Sequence, residues 1–397
     1  MTGTAEIIRL AAKGDGVTQD GRHVTGAVPG DTVLPDGTVQ PGPHRAVPPC
    51  RHFDRCGGCQ LQQADEDVLA RFVTDRVVYA ALGQDMVAGE VLPTHLSPPG
   101  SRRRATLRAD RRGQVRIGYR EARSHTLVEI RECPVLRPEL VALLKPLRTL
   151  CGKVDGRGPL DIAITWTDRG VDCAIEGGEL LGLEAIEAAM DFARDHELAR
   201  LSVGERGNLL PLWEPQTVTV TLAGVPVDLP VDSFLQATAD AEALMAADVR
   251  EWLDGSERVA DLFAGLGTFA FALADRSRVV AAEASRAAHL ACRTAANRAR
   301  LPVDAQHRDL FRNPFQVDEL AAFDAVVLDP PRAGAREQCN LLADSVVRRI
   351  AYVSCNPSSW ARDAARLVEG GYRLEALRPV GQFRWSTHVE LTSLFVR

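Results

Sequence analysis

Apolar and polar positions alternate over short runs at the start of the chain. Glu6-Ile7-Ile8-Arg9-Leu10, His23-Val24-Thr25 and Thr32-Val33-Leu34 read as strands. The turn signals Gly14-Asp15-Gly16, Asp20-Gly21 and Pro35-Asp36-Gly37 divide them. Residues 1–48 therefore predict a small β-barrel, with Pro41–Pro49 as a connector. The period then lengthens. Leu69, Phe72, Val73 and Val77 recur at helical spacing, behind acids and ahead of Gly83, which predicts a helix over Asp65–Leu82. Residues 94–232 read mainly as strands, among them Val115–Tyr119, Leu160–Trp166, Val171–Glu176 and Thr217–Leu222.

From about Ser256 strand and helix alternate. Strands are expected at Arg258–Phe263, Arg278–Ala284, Val303–His307, Phe323–Leu328, Arg349–Ser354, Tyr372–Arg378 and Glu390–Val396. Helices such as Ala287–Ala299 and Ser359–Glu369 fill most gaps, the pattern of a doubly wound α/β domain. The short link between the last two strands, with Pro379 and Gly381, predicts a hairpin-like return. The fold class is thus α/β: a Rossmann-like C-terminal domain over 236–397, a β-rich central domain over 49–235 and the N-terminal barrel. The helix within 64–83 is a candidate to pack on the C-terminal domain.

Composition narrows the class. A chain of 397 residues exceeds one hydrophobic core. It has no apolar run of 18 residues, and Met1–Leu10 lacks a basic region followed by an apolar stretch, so no membrane association and a cytoplasmic location are expected. A net charge of -6 excludes a uniformly basic nucleic-acid binder. Yet Arg102–Arg131 holds ten arginines against Asp110, Glu121 and Glu129, a local +7 that leaves -13 elsewhere. That segment reads as a nucleic-acid footprint or as a solvated sheet face.

Three loops of the C-terminal domain carry candidate chemistry. Asp261-Leu262-Phe263-Ala264-Gly265-Leu266-Gly267-Thr268 leaves the first strand, and its glycines let backbone approach a ligand. Glu283 ends the next strand, placed to accept from ribose hydroxyls. Gly265, Gly267 and Ala270 also satisfy a loose dinucleotide fingerprint, so this loop does not separate NAD from S-adenosylmethionine. Asp329-Pro330-Pro331-Arg332 and Ser354-Cys355-Asn356-Pro357 follow later strands at the same edge. Asp329 reads as a site acid or a turn cap, and Cys355 sits where an activated nucleophile would. Elsewhere, Cys50, Cys56 and Cys59 form a compact set around Gly57-Gly58, with Cys133 as the leading fourth ligand. Four thiolates suit zinc or iron–sulfur, and the spacing leans to iron–sulfur.

Together these motifs, with Ser233-Phe234-Leu235-Gln236 and His388-Val389-Glu390, resemble the iron–sulfur RNA uridine-5-methyltransferases of the TRAM-domain type. The resemblance implies a 4Fe–4S cluster on Cys50, Cys56, Cys59 and Cys133. It implies that Gln236, Phe263, Gly265, Gly267, Thr268, Glu283, Asp309 and Asp329 bind S-adenosylmethionine or the target base. Cys355 is implied as nucleophile on uracil C6 and Glu390 as general base, with 1–48 as a short TRAM/OB-like RNA-binding barrel. The expected activity is methylation of uridine C5 in RNA, first of all 23S ribosomal RNA, by a monomer with no obligate protein partner. Transfer RNA is the alternative substrate, and an NAD-linked iron–sulfur oxidoreductase the rival class. The family often has Pro-His-Thr before its last motif, where this chain has Arg384-Trp385-Ser386, and an asparagine where it has Thr238. An adenine amino-methyltransferase would carry an aromatic residue after Asp-Pro-Pro, where this chain has Arg332.

Overall fold

A computed structural model describes residues 4–122 and 124–397. Met1–Gly3 and Arg123, one of the ten clustered arginines, lie outside the described residues. The N-terminal segment is a curled five-stranded sheet, antiparallel throughout, in the order His23–Val24, Gly16–Thr18, Ala5–Leu10, Thr32–Val33, Val39–Gln40. Its core is small: Ile7, Ala27 and Val33. Gly16–Thr18 and Val39–Gln40 were not expected as strands, because runs this short show no alternation.

The central sheet has seven strands, from Leu127–Glu129 at one edge through Arg116–Arg120, Arg104–Asp110, Leu160–Thr167, Gly170–Glu176 and Arg200–Glu205 to Asn208–Trp213. Within Arg104–Asp110, Ala105, Leu107 and Ala109 face the core while Arg104 and Arg108 alternate with them. The span read mainly as strands also holds three helices, Pro138–Ala142, Leu144–Cys151 and Leu183–Asp195. The second buries Leu144, Leu147, Leu150 and Cys151, a helical stripe too short to stand out. The third buries only Ala189 and Ala193, so its apolar signal is weak.

The C-terminal sheet runs Val303–His307, Arg278–Glu283, Arg258–Leu262, Ala325–Leu328, Arg349–Ser354, Glu390–Val396, Arg373–Gly381. The first five strands are parallel. Glu390–Val396 is antiparallel to both its neighbours, the hairpin-like return that the short connection predicts. Beyond Arg373–Gly381 the sheet is extended by Glu90–Val91 and His95–Leu96, both parallel to it.

Helix Glu66–Leu82 begins where Asp65 accepts the Val68 N–H at 2.9 Å. It buries Val68, Leu69, Phe72, Val73 and Val77 in one core with Trp360, Tyr372, Leu374 and Phe395 of the C-terminal domain. Removing the Phe72 ring (Phe72→Ala) should therefore cost about 3–5 kcal/mol, read as a lower urea midpoint. A loss under about 1 kcal/mol would contradict this docking.

Candidate active site

The carboxyl ends of the parallel strands form one edge, and the chain makes its sharpest turns there. After Arg258–Leu262 the backbone takes positive φ at Phe263 (64°), Gly265 (56°) and Gly267 (96°). A Cβ on Gly267 would lie 2.7 Å from the Phe271 ring and 2.9 Å from Cys292 Sγ, so only glycine fits. Glu283 accepts the Gly265 N–H at 2.9 Å and the Ser285 N–H at 2.6 Å, which pins its carboxylate beside the loop. Thr268 opens helix Thr268–Leu273. Asp309, past the end of the neighbouring strand, accepts the Phe311 N–H at 3.0 Å. The exposed Phe311 ring lies 5.4 Å from that of Phe263.

Acids crowd this edge. Asp261 is wholly buried, accepts the Ala270 N–H at 2.8 Å through Oδ2 and leaves Oδ1 without a partner. Burial pushes its carboxyl up to about 7. Asp329 is pushed well above the usual carboxylate range by burial first, then by the nearby charges of Glu390 and Asp261. Gln236 Nε2 donates to Asp329 Oδ2 at 3.3 Å. Burial also lifts Glu390, to about 7.

Cys355 and Glu390 come together through strand register. Ser354 pairs with Leu391 in the antiparallel ladder, so the next positions, Cys355 and Glu390, leave it side by side. Burial, then Glu390 and Asp329, push the half-buried Cys355 thiol up to about 11. Asn356 caps helix Pro357–Glu369 by accepting the Ser358 N–H, and its Nδ2 donates to Arg332 O at 2.9 Å. That bond ties the cysteine loop to the Asp329 loop.

Cys50, Cys56, Cys59 and Cys133 line one separate cavity. Burial raises the first three thiols, and the neighbouring Cys133 adds to each shift. Among the described residues no group of three or more His, Cys, Asp or Glu side chains is arranged to hold an ion. Phe383, Arg384 and Ser386 line the same cavity. The N–H groups of Gln60 and Leu61, just past Cys59, both donate to Trp385 O, at 2.8 and 3.0 Å. The cysteine loop thus braces the segment that leads to Glu390. The remaining thiols, Cys151, Cys173, Cys292 and Cys339, are buried.

The arginine segment divides by role. Arg103 is buried, pairs with Glu242 at 2.5 Å and donates to Gln236 O at 3.0 Å. Arg104 donates to Leu235 O at 2.8 Å. Both hold the Gln236 loop rather than facing solvent. Arg108, Arg111, Arg112, Arg116 and Arg120 instead line an open concavity of about 1030 Å³ on the central sheet, with Asp110 as the one acid among the described residues of its wall. Gln382, which no motif marks, lies in the core of the site: it bonds Gln236 and Ala237 and is 1% exposed. Only the partners across the fold reveal it.

Proteins similar to this chain include RNA methyltransferases. The family model for tRNA (Uracil-5-)-methyltransferase matches residues 225–397. An RNA methyltransferase of Zymomonas mobilis subsp. mobilis is 47% identical over 99% of both chains. The 23S rRNA (uracil(1939)-C(5))-methyltransferase RlmD of Chromohalobacter salexigens is 36% identical over 89% of this chain and 77% of its own. The crystal structure of Pyrococcus abyssi tRNA (uracil-54, C5)-methyltransferase with S-adenosyl-L-homocysteine superposes with a TM-score of 0.77. At 22% identity over 99% of this chain and 100% of that one, it shows a shared class I methyltransferase fold. The NAD-linked reading of the glycine loop is set aside by these likenesses. With 47% and 36% identity to RNA methyltransferases over most of its length and a C-terminal region that matches the uracil-5 model, the chain belongs to the RNA uracil-5-methyltransferase family.

Proposed function

We propose that the protein methylates C5 of a uridine in 23S ribosomal RNA, with Cys355 as nucleophile and Glu390 as general base. The observation that carries the reading is the register that sets Cys355 beside Glu390 at the edge where Asp329 and the glycine loop also end. S-adenosylmethionine, when bound, supplies an electrophilic methyl group. Gly265 and Gly267 admit it close to the backbone, and Glu283 faces where its ribose hydroxyls would donate. Phe263, Thr268 and Asp309 complete that wall, and Asp329 with Gln236 orients the uracil edge.

Uracil C5 is a weak nucleophile until C6 is attacked. Cys355 Sγ, as thiolate, bonds C6, and the C5–C6 π pair moves onto C5; that pair would form the bond to the methyl carbon while the methyl's bond to the donor sulfonium breaks and leaves a neutral thioether. Glu390 accepts the C5 proton, the π bond re-forms and Cys355 leaves C6. A base lifted to about 7 is poised for this proton at neutral pH. The resting thiol, pushed up to about 11, is protonated at neutral pH, and its proton passes to water when the thiolate forms.

Ribosomal RNA is favoured because the RlmD relative, at 36% identity, is closer in sequence than the transfer-RNA enzyme at 22%. The arginine-lined concavity supplies a surface for phosphates, and the N-terminal sheet a second RNA contact in the manner of a TRAM domain. Such a substrate places the enzyme in the cytoplasm. The four thiols of one cavity fit a 4Fe–4S cluster. Held there, it would brace the Trp385 segment; the methyl-transfer steps move no electrons through it.

On a 23S ribosomal RNA fragment, Cys355→Ala should abolish methyl transfer while still binding S-adenosylmethionine. Glu390→Gln should accumulate a covalent RNA–protein adduct on a denaturing gel. An active Cys355→Ala enzyme, or methylation confined to a transfer RNA transcript, would overturn the mechanism or the substrate respectively. Protein purified without oxygen should be brown, absorb near ~400 nm and contain iron that Cys59→Ala removes. A colourless protein holding zinc would refute the cluster.

A further inference from the structure

Gln382 stands at the junction of the base and the substrate-facing acid. Its Oε1 accepts the Ala237 N–H at 2.9 Å. A backbone N–H only donates, so the amide oxygen must face Ala237, and the two N–H bonds of Gln382 must face the other way. One of them donates to Gln236 Oε1 at 3.0 Å. Val380 pairs with Glu390 in the antiparallel ladder, so Gln382, two residues on, comes to the same face as the Glu390 carboxylate with its second N–H free to turn toward it. With its oxygen occupied, Gln236 in turn can present only N–H to Asp329, whose Oδ2 accepts at 3.3 Å. A single backbone donor thus fixes the orientation of two buried amides in sequence.

The donor that starts the series is itself held. Arg103 N–H donates to Ala237 O at 2.9 Å, Arg103 Nε to Gln236 O at 3.0 Å and Arg104 to Leu235 O at 2.8 Å. An arginine pair from the central sheet therefore clamps the segment from which Ala237 donates.

We infer that Gln382 is a positioning residue of the methyl-transfer site, which directs one N–H to Glu390 and, through Gln236, another to Asp329. The inference rests on Glu390 being the general base. It assigns a task to a residue outside every motif: to keep Glu390 ionised and aimed while Asp329 keeps one oxygen for the uracil. The other titratable and charged groups that act on Glu390 and its neighbours are Arg332 and Asp329 from one loop and Cys355 from the next. Asp261 and Glu283 act on Asp329 from the glycine-loop side.

The test is the pH dependence of kcat with two substitutions. Gln382→Leu removes the donors at similar volume, and Gln382→Asn keeps an amide but shortens its reach toward Glu390. In both, Glu390 loses the N–H turned toward its ionised form, its pKa rises, and the ascending limb of kcat should move up by about one pH unit. RNA adduct should accumulate at neutral pH, and Gln382→Leu should cost less in kcat when added to Glu390→Gln than it costs alone. A fall in kcat equal at all pH values, without adduct, would show a merely structural amide and overturn the inference. A Glu390→Gln enzyme with full activity would remove the base reading itself. A crippled Glu390→Gln enzyme beside an unmoved limb in both Gln382 variants would remove only the positioning role.

Discussion

Negative charge driven out of water is the constraint around which the site is built. Asp261, Asp329 and Glu390 lie at one end of one sheet, and burial raises the pKa of each. A desolvated carboxyl must find hydrogen-bond donors or keep its proton. Asp261 takes the Ala270 N–H and shapes the glycine loop, Asp329 takes the Gln236 amide, and Glu390 lies beside the Gln382 amide. The same field keeps the Cys355 thiol protonated at rest. Donor supply, proton affinity and nucleophile state are therefore one linked problem. The fold solves it by bringing the Gln236 loop and the Gln382 strand end to the same edge.

The rest of the chain serves that edge from a distance. Helix Glu66–Leu82 and the strands Glu90–Val91 and His95–Leu96 are early in sequence but complete the C-terminal layers. The cysteine loop holds the Trp385 turn through the Gln60 and Leu61 N–H groups, and Trp385 itself sits at a φ of 60°. A bulky residue in the left-handed region persists only where its surroundings hold it there. Arg103 and Arg104 carry the central sheet's influence to the Gln236 loop.

What could be read in advance follows from how local each signal is. The parallel strands and the loops after them were legible because buried strands are continuous apolar runs and their ends carry glycine, proline or a lone polar group. The hairpin return was legible from a connection too short for a crossover helix. Helix Leu183–Asp195 was not, since only two small alanines face its core. The arginine segment looked uniform in sequence, yet Arg103 is buried against Glu242 while Arg112 and Arg120 line an open surface. Gln382 was invisible for the same reason: its meaning lies in Ala237 and Gln236, roughly 145 positions away. Side-chain orientation set by long-range partners leaves no periodic trace.

The central claim is that Cys355 bonds C6 while C5 takes the methyl group and Glu390 takes the C5 proton. RNA carrying 5-fluorouridine at the target offers the most direct test, because fluorine on C5 leaves no proton to remove. After incubation with S-adenosylmethionine, mass spectrometry of the digested complex should find the Cys355 peptide bonded to a nucleotide that holds both fluorine and the new methyl group. Methyl transfer without any protein–RNA bond, or a bond to a different cysteine, would contradict the account.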